Sequence, residues 1–322
     1  LHNYLGSGSA WNLDESEGGL FILPPYATQT GGAWSAGTAD AVTQNLGFIK
    51  QNDPEYVLIL SGDQLYNMDY QKMLDNHKRH NADLTIAVMP VPWEEASRFG
   101  ILTTDEDEKI LKFTEKPAEP DSNLASMGIY IFNADTMEEM LGGENEKYTD
   151  FGKEILPLAI GKKKINSYIF DGYWEDIGTI RSFYEANIAL CEPYPQFDFF
   201  GETSPIYTHM RNLPPSKINK ADIDASLTSE GCIITQAKLH KSVIGVRSII
   251  NDGSELDGVI MMGADYYDPE EEKLANLKAG KPITGIGKNC KIAHTIIDKN
   301  AKIGDNCKIN VSGKKYEDGD HG

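Results

Sequence analysis

Apolar residues recur every six positions in the last third of this 322-residue chain. The clearest run is Ile297, Ile303 and Ile309, and the same spacing already begins at Ile233. A six-residue period is typical of a parallel β-helix, in which each short strand stacks on the coil below it. Residues 266–282 interrupt the period and are predicted to form a protruding loop or short helix. The repeat predicts a fold and indicates no chemistry by itself.

The earlier part of the chain follows a different pattern. From about residue 39 to 191, helical patterns alternate with short apolar strands, which predicts a layered α/β domain with a mostly parallel sheet of six or seven strands. Apolar spacings of three and four predict helices behind the N-cap candidates Thr38 and Asp69, and another from about Thr179. The predicted strands are YVLIL (56–60), LTIAV (84–88), ILKFTEK (110–116), ASMGIYIF (125–132) and INSYIF (165–170).

Two domains are expected because 322 residues exceed the size at which one hydrophobic core usually keeps growing. Between Glu192 and Pro215 the chain contains five prolines and few helical signals, which is typical of a linker. We therefore predict a first domain over residues 1–191, a linker over 192–216 and a β-helix domain over 217–322.

Charge and composition exclude several partners. With 49 acidic and 30 basic residues the formal net charge is −19, and no dense Lys/Arg cluster could follow a phosphate backbone, so nucleic acid is not an expected partner. The apolar runs are far shorter than the ~20 residues that cross a bilayer, so no membrane span is expected. The four cysteines lack metal-site spacing, which favours reduced thiols and a cytoplasmic location, or a plastid if the source is a plant or alga.

Two aspartates are candidates for a metal site. Asp63 follows a buried strand, and ligands in open α/β sheets bind outside such carboxyl ends, although this residue could also be a simple turn carboxylate after Gly62. Asp176 lies in GYWEDIGT (172–179), where it could do no more than favour a helix dipole. Together the two could hold one Mg²⁺, which takes only one or two carboxylates and leaves room for phosphate oxygens.

Glu115 and Lys116 end a predicted strand in FTEKP (113–117), before a proline that cannot continue the ladder. A lysine there can bind phosphate as a point charge, and the glutamate can accept hydrogen bonds from sugar hydroxyls. In an extended strand the two side chains face opposite sides, so they reach one ligand only if the chain twists there; otherwise they form a solvated edge pair. The segments 37–41 and 125–130 contain small residues that allow either a ligand or plain packing close to the backbone.

Ten short motifs follow one another along the chain: GTADAV, LSGDQLYNMDY, EEASRFGI, FTEKP, LASMGIYIF, DFGKEILP, GYWEDIGTI, PIYT…LPPSK, MMGADYY and IGKNCKI…IIDKNAKIGDN. In this order they resemble the ADP-glucose pyrophosphorylase, or glucose-1-phosphate adenylyltransferase, family over nearly the whole chain. The resemblance implies a Rossmann-like nucleotidyltransferase domain followed by a left-handed parallel β-helix of hexapeptide repeats. It also implies an enzyme that joins ATP and glucose 1-phosphate into ADP-glucose and pyrophosphate, for glycogen or starch synthesis.

The resemblance also implies roles for particular residues. Asp63 and Asp176 would hold the catalytic Mg²⁺, and Lys116 would bind the phosphate of glucose 1-phosphate. The glucose would be seated near Gly100, Glu115, Ser126 and Trp174, and the nucleotide near Gly37 and Thr38. A small-molecule allosteric effector and a homo- or heterotetramer are implied as well.

Two features depart from the family pattern. The family's Gly-rich loop, whose arginine and lysine grip the triphosphate, is expected to precede Leu1, and the chain stops within the repeat. We therefore expect the chain as printed to bind ATP poorly and to turn over little. Ser35 and Ala36 stand where relatives commonly carry an aromatic residue and a larger neighbour, which affects the expected nucleotide contacts or the response to an activator.

Other hypotheses stay open. The protein could be a non-catalytic regulatory subunit of a hetero-oligomeric enzyme; the retained lysine and aspartates argue against this, whereas the Ser-Ala pair argues for it. A related nucleotidyltransferase could use another base or sugar. A hexapeptide acyltransferase would need a catalytic histidine in the β-helix, for which His240 and His294 are the candidates, although ordinary surface histidines are the simpler interpretation.

Overall fold

The structure is a computed structural model that describes residues 2–14, 18–24, 27–28, 31–32, 34–201 and 205–311. Its contacts divide the chain into two compact units. The first contains residues 1–174 and 207–209, and the second contains 175–206 and 210–322. The domain boundaries drawn from the sequence stay a prediction.

The first unit combines short helices with a mixed sheet. Its helices are α1 (His2–Leu5), α2 (Thr38–Thr43), α3 (Leu46–Gln51), α4 (Tyr70–Arg79), α5 (Ala134–Leu141) and α6 (Leu156–Ala159). Three 3₁₀-helices (Ser9–Trp11, Ala96–Arg98, Gly143–Lys147) and one π-helix (Phe151–Ile155) complete the helical elements. The strands are β1 (Ala27–Thr28), β2 (Gly31–Gly32), β3 (Tyr56–Ile59), β4 (Gln64–Tyr66), β5 (Leu84–Pro90), β6 (Gly100–Thr104), β7 (Ile110–Glu115), β8 (Leu124–Asn133) and β9 (Ile165–Ile169); β10 (Trp174–Asp176) crosses the division.

Six strands form the main sheet, in the order β7-β6-β8-β5-β9, with β3 also paired to β8. Strands β3, β5, β6 and β9 run in one direction, as the alternation of helices and strands predicts. The ten-residue β8 runs against them through the middle of the sheet, and β7 forms a hairpin with β6. Only β5 and β9 therefore pair in parallel, and the sheet is mixed where the sequence predicted a mostly parallel one.

Both faces of this sheet are buried, which explains its continuous apolar runs. On one face Leu84 and Ile86 of β5 pack in a core with Phe132 of β8. On the other face Ala87 and Ile131 pack in a second core. Because successive side chains of a strand alternate between faces, a strand covered on both sides is apolar at every position.

The helix predictions are partly confirmed. The Asp69 side chain accepts a hydrogen bond from the Gln71 backbone at 3.0 Å and caps α4, as predicted. Thr38, in contrast, is the first helical residue of α2, and the N-cap is Gly37. The apolar pattern from residue 39 to 49 falls on two six-residue helices, α2 and α3, because the chain turns at residues 44 and 45 between them.

The second unit begins with α7 (Ile180–Ala189), which confirms the helix predicted from about Thr179. Thr179 and Ser182 form a reciprocal capping box at its start. Tyr184 donates a hydrogen bond to the carbonyl of Gly258 at 2.7 Å, so this helix packs on the β-helix. Among the described residues between 192 and 216, outside 202–204, the chain forms neither helix nor strand.

The C-terminal part is a parallel β-helix, as the six-residue period predicts. All its strand pairings are parallel and in register, for example Ile234 opposite Ile250 and Leu256 opposite Ile292. Residues 266–282 leave the coils and carry one exposed helix, α8 (Glu270–Lys278). The strands are β11 (Lys217–Asn219), β12 (Asp222–Asp224), β13 (Leu227–Thr228), β14 (Ile233–Thr235), β15 (Lys238–His240), β16 (Val243–Ile244), β17 (Ile249–Ile250), β18 (Glu255–Met261), β19 (Gly285–Ile286), β20 (Lys291–Ile297), β21 (Lys302–Ile303) and β22 (Lys308–Ile309).

Two further sequence expectations concern cysteines and membranes. All four cysteines are free thiols, and burial raises the pKa of Cys191, Cys232 and Cys290. Over the described ranges, none of the helices combines the length and the apolar character that a membrane crossing requires.

Candidate active site

The regular pairing of the main sheet is interrupted at the middle of β8. On one edge of β8, strand β3 pairs with Tyr130 to Asn133, whereas β6 pairs with Leu124 and Ala125. Residues 126–129 lie between these two ladders. On the other edge, β8 advances four residues while β5 advances two, and Gly128 takes a left-handed φ of 66°. Irregularities of this kind are common beside active sites because they redirect side chains.

Three strand ends meet at this interruption. Strand β3 ends there and is followed by Asp63, β6 starts there with Gly100, and β7 ends there because Glu115 pairs with Gly100. Ser126 belongs to the interrupted part of β8 itself. The topology therefore brings four residues proposed from the sequence to the interrupted part of the sheet.

The backbone at Lys116 shows whether the side chains of Glu115 and Lys116 must face opposite sides of the strand. Its φ is 46°, in the left-handed region that non-glycine residues rarely adopt, and its backbone N–H donates to the carbonyl of Phe99 at 3.1 Å. The chain therefore twists at the end of β7, and the alternation of an extended strand no longer separates the side chains of Glu115 and Lys116. Such local strain persists where the surroundings enforce it and is common at ligand sites.

Glu115 is half-buried and surrounded by charge. Burial raises the pKa of its carboxyl group and the charge of Asp150 raises it further, while Lys116 and Lys153 act in the opposite direction. A Cβ atom at Gly100 would lie 2.9 Å from its Oε2, and one at Gly152 would lie 2.8 Å away. Glycine at position 152 therefore leaves room for this carboxylate, and glycine at position 100 leaves room for it and for the Phe113 ring, which would lie 2.5 Å from the added atom.

Two neighbours of Glu115 were not proposed from the sequence as site residues. Burial raises the pKa of Tyr130 to about 12, and the charges of Glu115 and Asp150 contribute to the same shift. Asp150 caps the π-helix by accepting from the Lys153 backbone at 2.9 Å. The motif DFGKEILP contains Asp150, but its spacing alone does not show that it faces a strand 35 residues earlier in the sequence.

Asp63 is exposed and lies in the turn after β3. The Ser61 hydroxyl donates to its Oδ1 at 2.5 Å. The next residue in the sequence, Gln64, has a buried side-chain oxygen Oε1 without a hydrogen-bond partner among the described residues. The carboxylate of Asp63 and the amide oxygen of Gln64 are both hard oxygen donors, the kind of ligand that Mg²⁺ prefers.

Trp174 is buried, with 8% of its surface exposed, and its ring packs on Phe99 with the ring centroids 5.4 Å apart. Within the described part of the chain its indole Nε1 is buried and has no hydrogen-bond partner. A buried unpaired donor costs about 1–3 kcal/mol, so such groups call for a functional explanation. A ligand oxygen at this position would remove that cost.

Gly37 and Thr38 lie at the start of α2. A Cβ atom at Gly37 would lie 2.4 Å from the carbonyl oxygen of Thr149, so this position requires glycine. The Thr38 hydroxyl accepts a long hydrogen bond of 3.5 Å from the Phe151 backbone. Ala36 donates its backbone N–H to Asp40 at 2.7 Å, which holds the turn that contains the Ser35-Ala36 departure.

Asp176 belongs to the second unit, where its Oδ1 accepts from the Gly178 backbone at 2.9 Å. The shared metal role of Asp63 and Asp176 stays a prediction. No group of three or more His, Cys, Asp or Glu side chains suited to a metal occurs among the described residues. A Mg²⁺ ion takes only one or two carboxylates and needs no such group, and the exposed carboxylate of Asp63 is a ligand of the kind that it binds.

The two histidines of the acyltransferase hypothesis have structural partners. His240 is exposed, and its Nδ1 lies 2.7 Å from Oδ1 of Asp257. His294 Nδ1 lies 3.3 Å from the hydroxyl of Tyr184. Both lie on the outer surface of stacked strands, and these contacts account for them without a catalytic role.

Comparison with known proteins agrees with this architecture. A family model described as "Nucleotidyl transferase" matches residues 1–192, and one described as "GLGC left-handed parallel beta-helix domain" matches residues 211–322. A glucose-1-phosphate adenylyltransferase from Bacillus cereus is 47% identical over 270 residues, which is 82% of this chain and 72% of that protein. The chain belongs to the glucose-1-phosphate adenylyltransferase family. Its fold is thus a nucleotidyltransferase domain followed by a left-handed β-helix.

Two further members of the family differ in origin and coverage. The Geobacillus stearothermophilus glucose-1-phosphate adenylyltransferase is 48% identical over 254 residues, 77% of this chain. The chain spans 65% of the length of that relative. The chloroplastic/amyloplastic small subunit from Triticum aestivum is 41% identical over 335 aligned positions, which cover 96% of this chain and 71% of that protein.

Proposed function

We propose that the full-length protein transfers the adenylyl group of ATP to glucose 1-phosphate and releases ADP-glucose and pyrophosphate. The observation that carries the proposal is the meeting of Gly100, Glu115, Lys116 and Ser126 at the interrupted middle of β8 in a chain of this family. These are the residues that the sequence motifs assign to the sugar and its phosphate. They provide a cation for the phosphate, acceptors for hydroxyl groups and glycine where the ligand must approach closely.

The chemistry needs charge compensation before anything else. The attacking phosphate and the α-phosphate of ATP are both anions, so they repel each other unless cations lie between them. Lys116 would bind the glucose 1-phosphate as a point charge at the end of β7, and the left-handed backbone holds the lysine at that strand end. Catalysis then consists of holding the phosphate oxygen in line with the α-phosphorus and neutralising the charge that develops.

The glucose would be held by groups that surround Glu115. Its half-buried carboxylate can accept hydrogen bonds from two sugar hydroxyls, and Ser126 lies on β8, beyond β6 in the sheet. The indole N–H of Trp174, buried and unpartnered within the described residues, would donate to a sugar oxygen. Gly100 and Gly152 keep the space beside the carboxylate open. Gly37 and Thr38 would form the nucleotide side.

Asp63 and Asp176 are the residues proposed to hold Mg²⁺. When bound, Mg²⁺ would supply Lewis-acid stabilisation of the phosphate oxygens. The protein's own part is to present oxygen ligands at the end of β3, where Ser61 fixes the orientation of the Asp63 carboxylate.

The wider biology is proposed on the strength of family membership. The product would serve glycogen or starch synthesis in the cytoplasm, or in a plastid if the source is a plant or alga. A homo- or heterotetramer with a small-molecule allosteric effector is part of the same proposal. The β-helix offers long parallel surfaces of the kind that serve as assembly platforms.

The test is ADP-glucose formation from ATP, glucose 1-phosphate and Mg²⁺ by the purified full-length protein, compared with its Asp63→Asn variant. We expect turnover in the wild type and a loss on the order of 10²–10³ in kcat for the variant, as for other preorganised electrostatic groups. An Asp69→Asn variant, which keeps an oxygen that can accept the hydrogen bond capping α4, should keep most of the activity.

The alternative is a non-catalytic regulatory subunit, for which the Ser35-Ala36 departure is the specific observation. Absence of turnover by the intact wild type, together with a change in the activity of an added partner subunit, would replace the catalytic proposal with this one. Turnover with UTP or GTP at rates above those with ATP would instead indicate a related nucleotidyltransferase.

A further inference from the structure

Glu154 lies in the π-helix and makes an unusual set of contacts. Its Oε2 accepts from the backbone N–H of Thr149 at 2.7 Å and from that of Asp150 at 3.1 Å. The Thr149 hydroxyl also donates to it at 3.3 Å. One carboxylate oxygen therefore fixes the short extended segment of residues 149 and 150 that precedes the π-helix. These hydrogen bonds from the backbone lower the pKa of Glu154, so the anchor is stronger in its charged form.

The segment of residues 149 and 150 in turn contacts the start of α2. The carbonyl oxygen of Thr149 accepts from the backbone N–H of Ala39 at 2.8 Å and from that of Asp40 at 3.2 Å. The same oxygen would lie 2.4 Å from a Cβ atom at Gly37. The carbonyl group of Thr149 thus accepts the first two backbone N–H groups after Thr38 and helps to fix the segment proposed for the nucleotide.

The same segment also leads into the surroundings of Glu115. Gly152 lies two residues after Asp150, and a Cβ atom at Gly152 would lie 2.8 Å from Oε2 of Glu115. Asp150 is near enough for its charge to raise the pKa of Glu115. A shift of residues 149–152 would therefore move a wall of the sugar side and the start of α2 together.

We propose that Glu154 is a positioning residue that couples the nucleotide side of the active site to the sugar side through the segment of residues 149 and 150. It touches neither substrate in this scheme and acts through the backbone of Thr149 and Asp150. The inference rests on the proposed function for its catalytic consequence, whereas the coupling itself is a property of the fold.

The coupling is tested first without any substrate, by hydrogen–deuterium exchange of the full-length protein. In Glu154→Ala the amides of Ala39 and Asp40 should exchange on the order of tenfold faster, because their acceptor is no longer held in place. Glu154→Gln keeps an oxygen that can accept and should show a smaller increase. Unchanged exchange over residues 37–43 in both variants would overturn the proposal.

Asp105 provides the matched control. Its Oδ1 accepts from the backbone N–H of Asp107 at 3.0 Å and of Lys109 at 2.9 Å, so it also fixes a turn with one carboxylate oxygen. It lies in the β6–β7 hairpin, at the opposite end of these strands from the pair formed by Gly100 and Glu115. Asp105→Asn should leave the exchange of residues 37–43 unchanged, and acceleration equal to that of Glu154→Ala would show general destabilisation and overturn the proposal.

Kinetics then tests the positioning role. In Glu154→Ala the KM for ATP and the KM for glucose 1-phosphate should both rise, on the order of tenfold, with partial rescue in Glu154→Gln and wild-type values in Asp105→Asn. A rise for one substrate only, or for neither, would overturn the coupling of the two sides. If the wild type forms no ADP-glucose, the proposed function fails, and the exchange result still decides whether Glu154 holds the start of α2.

Discussion

The β-helix and the first unit both use left-handed backbone at non-glycine residues, but in different ways. In the β-helix it recurs at the corners of successive coils, for example in the stack that contains Lys220, Gln236, Asn289 and Asn306. In the first unit it is isolated. Asp53 and Asn81 follow helices and Glu108 lies in a hairpin, whereas Lys116 ends a strand just before Pro117. Left-handed backbone that repeats from coil to coil is part of the geometry of the β-helix. A single left-handed residue at a strand end is held there by its local surroundings, as is common at ligand sites.

The comparison implies that damage to the β-helix lowers stability and leaves substrate affinity intact. Ile234 is fully buried and stacks on Ile250, so Ile234→Ala should lower the free energy of unfolding by about 2–5 kcal/mol. Its neighbour Ile233 is 37% exposed on the same strand, and Ile233→Ala should cost less than about 1 kcal/mol. Chemical denaturation of the full-length variants measures both values. Equal losses at the two positions would contradict the inward and outward assignment.

Damage at the isolated position should have the opposite signature. Lys116→Gln removes the cation and should raise the KM for glucose 1-phosphate roughly 10- to 100-fold, with little change in the KM for ATP or in the unfolding midpoint. The control is Lys112→Gln on the same strand, an exposed lysine paired with Asp121 at 2.5 Å, which should keep wild-type kinetics. Steady-state kinetics with each substrate varied in turn provides the measurement. An equal rise in the KM for glucose 1-phosphate in Lys112→Gln would contradict a specific role of Lys116 in binding the phosphate.

A glycine substitution at a β-helix corner tests whether the left-handed backbone there is strained, and its expected effect on stability is smaller. Gln236 has a φ of 45° at a β-helix corner, where glycine adopts the same conformation without a steric penalty. Gln236→Gly should therefore stabilise the protein by up to about 1 kcal/mol, and Gln236→Val should destabilise it because a β-branched side chain disfavours this region. Thermal unfolding of the pair checks the order. If valine is as stable as glycine, the corner is not strained.

The smallest expected effect concerns the pH dependence of stability. Because burial raises the pKa of Glu115, the folded state holds its proton more tightly than the unfolded state does. The resulting contribution is fully present below the ordinary value of 4.5 and is lost as pH rises through the raised pKa. Relative to Glu115→Gln, the wild type should lose stability over that window. A difference between the two unfolding curves that does not vary with pH would contradict this assignment.

Features that depend on near neighbours in the sequence were predictable. The five proposed strands correspond to β3, β5, β7, β8 and β9, because a short apolar run is a local signal for a strand. The predicted burial of β3 was wrong, since its residues are partly buried or exposed. The cap by Asp69 depends on a residue two positions away. The pairing directions were not predictable from such signals, because the place of β8 in the sheet depends on contacts with strands 70 residues earlier.

The active-site residues show the same division. Glu115 and Lys116 were visible as a charged pair before a proline, but only the folded backbone reveals the twist at Lys116. Glu154 had no signal beyond its place in a motif, because its hydrogen bonds act through the backbone of Thr149.

By itself, the sequence determined the β-helix, the positions of the buried strands and the family to which the chain belongs. Each of these follows from local periodicity or from short motifs, which can be recognised without knowing the tertiary contacts. Only the tertiary structure shows how the pairing along β8 is interrupted and which strand ends meet there. It also shows that the Glu154 carboxylate fixes residues 149 and 150, between the two sides of the proposed site. Those outcomes depend on groups distant in the chain that share one small volume, and no local pattern encodes that proximity.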